Sequence, residues 1–269
     1  MMKGDHHGTA TRRGLADLTG LPQAQLFESP CSWLTRAALS QGVSPQELLD
    51  FMELGTKRYR RFDPDLLLVS RPGRIALSAT RSTSSMTVAE RVFTSLRTMG
   101  LNGEALLRDD RGRARSRFCP ECLREHRVPH FEVHGRFASW RHCPLHNCLM
   151  EDRCPHCRAP IVLPFRMSSA GPQKRGVASL SECQLCGGKL HAVQAVPLSR
   201  LQMTPADQLR LANGRALMAM LYWGKAKTED GRWERLRRYR QVVKSMTFWN
   251  PQSWYLAHEV RDRVGSEAG

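Results

Sequence analysis

The 269-residue sequence predicts a mainly α-helical protein with a helix-poor centre that carries small β elements. Three observations point there. Helix-start signals with three- and four-residue apolar spacing recur before residue 100 and again after residue 200. Between about Arg108 and Thr204 that periodicity disappears. Cysteine, histidine, arginine and proline concentrate in the same interval.

The elements follow in order. Residues 1–20 are polar, hold His6, His7, Arg12 and Arg13, and have no hydrophobic period, so a loose basic arm is expected. From Ser29 the positions Trp33, Leu34, Ala37, Ala38 and Gln41 describe one helical face that closes on Gly42. Ser44 as N-cap, Pro45 at the first helical position and Glu47 as the capping-box partner start a second helix. Ala38 is small where two helices approach, Gly42 permits a left-handed turn, and Leu48 with Phe51 is expected to seat the second helix on the first. This pattern fits a helix-turn-helix and equally an ordinary αα-hairpin. Asp63-Pro64 and Thr87 with Glu90 mark two further helix starts, giving a helical region over 21–107. After the centre, Thr204-Pro205, the stripe Trp233, Leu236, Val243 and Met246, and Asn250-Pro251 predict closing helices in a basic region 199–269.

Composition bounds the partners. Lys and Arg outnumber Asp and Glu by 41 to 25, a formal charge of +16, which favours polyanions and puts nucleic acid first among binding partners. A membrane span needs about 20 consecutive apolar residues, and the longest run is Ala216 to Trp223, so no membrane crossing is expected. The first residues lack the apolar core of a secretory signal, so the expected compartment is a reducing cytoplasm, where nine cysteines are not a disulfide framework.

The central segment, 108–198, carries the chemistry. Four knuckles of two-residue spacing occur in succession: Cys119/Cys122, Cys143/His146, Cys154/Cys157 and Cys183/Cys186. Each tight turn aims two soft donors at one cation, and two knuckles complete the tetrahedron that Zn²⁺ prefers. Sequential pairing gives a three-cysteine, one-histidine site and an all-cysteine site, a tandem zinc ribbon with two structural Zn²⁺ ions; an interleaved cross-brace is the other arrangement. His142 or Cys148 could replace a donor of the first site, and Cys31 reads as a buried thiol. With four protein ligands neither site keeps the open position of a catalytic zinc, so no catalytic residue is assigned. Metal binding is expected to replace a core that the polar centre lacks, so chelation should melt the centre and spare the N-terminal helices.

Several basic groups are candidates for nucleic-acid backbones. Arg111, Arg113, Arg115 and Arg117 alternate, so an extended chain would place them on one side. Lys174 and Arg175 lie in a Ser/Gly/Pro-rich loop, and Arg235, Arg238 and Lys244 on the predicted C-terminal helix. The glycine-lysine pairs Gly188-Lys189 and Gly224-Lys225 are not followed by Ser or Thr, so there is no Walker A motif.

The run Arg117-Phe118-Cys119-Pro120-Glu121-Cys122-Leu123, then Pro129-His130-Phe131, Trp140, Cys143-Pro144-Leu145-His146 and Leu149 to Cys157 resembles the TnsD/TniQ family of bacterial transposition proteins. The upstream Glu28 to Arg36 stretch, with Gly42 and Ser44, is similar to that family's N-terminal signature. The resemblance implies a helix-turn-helix region joined to a zinc-binding TniQ domain, the knuckle cysteines and His146 as ligands, and Trp33 and Trp140 as packing positions. It implies a non-catalytic adaptor that selects the target site in DNA transposition. Such an adaptor links target DNA, or a CRISPR RNA-guided complex, to an AAA+ ATPase regulator and the transposase, and can act as a homodimer. The competing reading is a stand-alone zinc-containing helix-turn-helix transcription regulator.

Overall fold

A computed structural model describes residues 20–54, 63–70, 73, 86–98, 105–138, 140–163, 179–227 and 231–235. Helices dominate. α1 (Pro30–Gln41) begins where the Ser29 hydroxyl accepts from Ser32 N–H and ends at Gly42, whose φ of 67° admits no ordinary side chain without strain. α2 (Pro45–Phe51) starts with the expected capping box of Ser44 and Glu47. α3 (Pro64–Leu68) is capped by the Asp63 carboxylate, and α4 spans Thr87–Thr98. α5 (Pro120–Glu125) begins at the first knuckle. α6 (Pro205–Trp223) opens on a Thr204/Asp207 capping box and closes on Gly224 in the left-handed region. Among the described residues no helix is long and apolar enough to cross a membrane.

The β elements are short. β1 (His142–Cys143), β2 (Cys148–Leu149) and β3 (Val196–Pro197) form an antiparallel sheet in which Cys143 faces Cys148 and Leu149 faces Val196. β4 (Lys225–Lys227) and β5 (Trp233–Arg235) form a hairpin with Lys225 opposite Arg235. The stripe from Trp233 to Met246 predicts a helix, and the hairpin corrects it at Trp233–Arg235: Gly224 stops α6, Gly231 takes φ 82°, and the Lys225 ammonium sits 4.7 Å over the Trp233 ring, while Leu236, Val243 and Met246 lie outside the described residues. The Asn250-Pro251 start and the 1–19 arm lie outside the described residues.

Among the described residues three apolar clusters organise the interior. α1, α2 and α3 enclose Trp33, Leu34, Leu48, Leu49 and Met52. Phe51, expected to seat α2, is instead 44% exposed, and Leu49 and Met52 take its place on the buried face. A second cluster joins α4 and α6 to Val133, Phe137, Trp140, Cys143 and Leu149. A third packs Cys31 of α1 against Phe118, Phe131, Ile161, Cys154 and Cys183. The centre therefore has an apolar interior shared with the helices on both sides, which corrects the expectation of a core-poor segment. Its aromatic and aliphatic residues are spaced irregularly, so no helical or strand period announces them.

Polar contacts tie the N-terminal helices to the centre. Ser29 N–H donates to the Phe131 carbonyl at 2.9 Å, and Phe131 N–H donates to the Ser32 hydroxyl at 3.0 Å. Arg136 is fully buried between Asp63 (2.6 Å) and Asp65 and donates to the Leu107 carbonyl. Burial opposes its charge, yet the two carboxylates hold its pKa above the ordinary arginine value.

Candidate metal centres

The knuckles are built by a repeated local device. In three of them the fourth residue after the leading cysteine turns left-handed and closes a hydrogen bond to that cysteine's carbonyl. Asn147 (φ 48°) donates to Cys143 at 3.0 Å, Arg158 (φ 60°) to Cys154 at 3.0 Å, and Gly187 (φ 70°) to Cys183 at 2.8 Å. The third and fourth knuckles also share a closing rung, Cys154 N–H donating to the Ala159 carbonyl and Cys183 N–H to the Gly188 carbonyl. The first knuckle uses a helix instead: Cys119 occupies the N-cap of α5, Pro120 sets its first turn, and Cys122 follows within that turn.

These turns gather the donors into two groups, Cys119/Cys122/Cys143/His146 and Cys154/Cys157/Cys183/Cys186, with the donor atoms of each group within 4.8 Å of one another. In the second group Cys154 and Cys186 sulfurs are 3.7 Å apart, as are Cys157 and Cys183. Two thiolates at about 2.3 Å from a tetrahedral zinc stand about 3.8 Å apart, whereas a disulfide holds its sulfurs at about 2.05 Å. In the first group the His146 Nδ1 lies 3.3 to 3.6 Å from Cys119, Cys122 and Cys143 sulfurs. Its other nitrogen meets the Glu125 carboxylate at 3.0 Å, an outer contact that aims Nδ1 at the sulfurs. The residues present therefore fit zinc in donor type, number and spacing.

Electrostatics divides the thiols, lowering Cys119, Cys143 and Cys186 and raising Cys122, Cys148, Cys154 and Cys157. Neighbouring thiols donating to its sulfur hold Cys143 far below the ordinary thiol range, while Cys122 and Cys148, the donors to thiolate neighbours, are pushed up. The Gly188 N–H lowers exposed Cys186 to about 7. Burial raises Cys154 to about 12. Burial opposes a charge on His134, yet the Glu132 carboxylate 2.9 Å away lifts it to about 9.

Of the two alternative donors, Cys148 reaches the first group, its sulfur 3.5 Å from Cys119 across the β1–β2 pairing. His142 does not: its buried ring stands edge-on to Trp140, and burial and nearby arginines lower its pKa to about 4. Cys31, Trp33 and Trp140 are buried. Sequence reasoning missed the nearby His126, His130, Glu132 and His134; the signal was the histidine density after Cys122.

The four alternating arginines do not share a surface. Gly112 (φ 73°) turns the chain, leaving Arg111 exposed, while Arg113 reaches back to Asp109 at 2.6 Å. Arg115 approaches Asp152 at 3.4 Å. Arg117 is buried and donates to the carbonyls of Phe137, Ala138 and Trp140; burial lowers its pKa to about 9. Arg235 lies on β5, and Lys174, Arg175, Arg238 and Lys244 fall outside the described residues.

No curated protein matches the chain. Residues 20–150 match the model of the TniQ family, a span that takes in α1 to β2 and the first donor group and ends before the second.

Proposed function

Since residues 20–150 carry a TniQ domain, we propose that the chain is a target-site selection adaptor in DNA transposition, linking target DNA or an RNA-guided complex to an AAA+ ATPase regulator and the transposase. The family match carries the reading, and the donor groups agree with it. Each would hold one structural Zn²⁺, through Cys119, Cys122, Cys143 and His146 and through Cys154, Cys157, Cys183 and Cys186. Zinc in such closed sites supplies cross-links between distant segments. The chain's own residues then present surfaces: the α1–turn–α2 unit as a helix-turn-helix, and the exposed Arg111 turn toward phosphates.

Affinity capture on the purified full chain, offered the AAA+ regulator and transposase encoded by the same element with and without target DNA, tests the proposal. Retention of the regulator is the expected result. Failure to retain either protein, together with tight binding to a palindromic operator, would replace the adaptor with a stand-alone transcription regulator.

A further inference from the structure

The first donor group has one soft donor more than a tetrahedral ion takes. Cys119, Cys122, Cys143 and His146 form the tight set, and Cys148 stands 3.5 Å from Cys119. Cys122 is also the donor nearest a second, mixed group. His126 follows it by one helical turn, with His126 N–H donating to the Cys122 carbonyl at 2.9 Å, so the two side chains share a face. Cys122, His126 and Glu132 offer donor atoms all within 4.8 Å of one another.

That trio is prepared as a ligand set. His126 Nε2 and Glu132 Oε1 are 3.6 Å apart, too long for a hydrogen bond. It is close to the roughly 3.3 Å that two donors at about 2.0 Å from a tetrahedral zinc would span. The other carboxylate oxygen of Glu132 lies 2.9 Å from His134 Nε2, an ion pair behind the trio. The His126 ring is stacked parallel on His130 at 4.2 Å, which fixes its plane. His130 is 6% exposed, its Nε2 has no hydrogen-bond partner, and it lines a small cavity with Cys119, Cys122, Glu132 and His134. A buried nitrogen of that kind ordinarily finds a partner.

We propose that Cys122 is a shared ligand: its thiolate, with His126 and Glu132, holds a third zinc ion beside the first donor group. The proposal rests on the first group itself holding zinc. Sharing a thiolate weakens its bond to each metal, and Cys148, its sulfur 3.5 Å from that of Cys119, stands beside the first group as a further thiol. A solvent molecule in the cavity beside His130 completes the third site, and the side chain of His126 is 23% exposed.

The test is a metal count on the full chain equilibrated with zinc alone, by native mass spectrometry and elemental analysis. The expected result is three equivalents, falling to two in His126→Phe, which keeps a flat ring on His130 and removes the donor, with unchanged far-ultraviolet circular dichroism. Two equivalents in the unsubstituted chain would overturn the shared site and leave the two closed sites standing; fewer than two would overturn both. Three equivalents in His126→Phe would also overturn it. Cadmium-113 resonance of the unsubstituted chain decides independently of any variant: three signals, two of them mutually coupled through a common sulfur, are expected, and two uncoupled signals would sink the proposal.

Discussion

Arg136 and Asp109 illustrate how differently two charged residues are used. Arg136 is fully buried, so its guanidinium holds only because Asp63 and Asp65 pair with it and main-chain carbonyls accept its remaining protons. Arg136→Leu removes one partner and strands two buried carboxylates, which costs about 3 to 5 kcal/mol; urea unfolding should show it as a lowered midpoint. Asp109 instead closes an exposed turn, its carboxylate accepting from the main-chain N–H of Arg111 and Arg113 and from the Arg113 side chain. Partial burial opposes its charge, but these donors prevail and hold its pKa below the ordinary 3.8. A depressed carboxylate stabilises the fold above its unfolded value and loses that contribution as the pH falls through the folded one. Asp109→Asn should therefore cost about 1 kcal/mol at neutral pH and progressively less below pH 3.8, read from paired thermal melts across that range. If Arg111, at the tip of this turn, touches phosphate, Arg111→Ala should weaken binding to all duplex sequences alike and reduce the salt slope by about one.

At the scale of elements, what was legible in the sequence was punctuation. Ser29-Pro30, Ser44-Pro45-Glu47, Asp63-Pro64 and Thr204-Pro205 each start a helix because a side-chain oxygen before a proline satisfies N–H groups that the helix leaves open. The knuckles were legible for a similar reason, since two-residue spacing between donors is a local geometric requirement. Partners brought in from afar were not. Nothing local says that Phe51 turns outward, that Trp233 joins a hairpin, or that Arg117 is spent on three carbonyls. The short 3₁₀ turn Val133–Arg136 depends on the same kind of distant fit: Gly135 accepts from Arg117 N–H at 2.8 Å, and a Cβ at Gly135 would run into the Arg117 carbonyl oxygen. Gly135→Ala should thus destabilise the protein by about 2 to 3 kcal/mol through backbone displacement, whereas Gly112→Ala meets nothing and pays only for its left-handed turn, about 1 kcal/mol. Comparing the two melting temperatures separates steric from conformational cost.

For the whole molecule, the three apolar clusters and the Arg136 network decide what metal removal does. A structural zinc contributes about 10 to 16 kcal/mol of apparent binding energy, as much as or more than the roughly 5 to 15 kcal/mol by which a whole domain is stable. Were the centre a separate body, the N-terminal helices would survive its loss. They share too much with it: Cys31 of α1 packs with Cys154 and Cys183, Ser29 and Ser32 bond Phe131, and α3 with its cap supplies Asp65 and Asp63 to Arg136. Chelation should consequently exchange the amides of α1 and α3 together with those of the knuckles, as one unit in hydrogen exchange, with helical circular dichroism falling in the same step. Protection of α1 that outlasts loss of the metals would show instead that the apolar contacts of Trp33, Leu34 and Leu48 suffice without Phe131 and Arg136 in place.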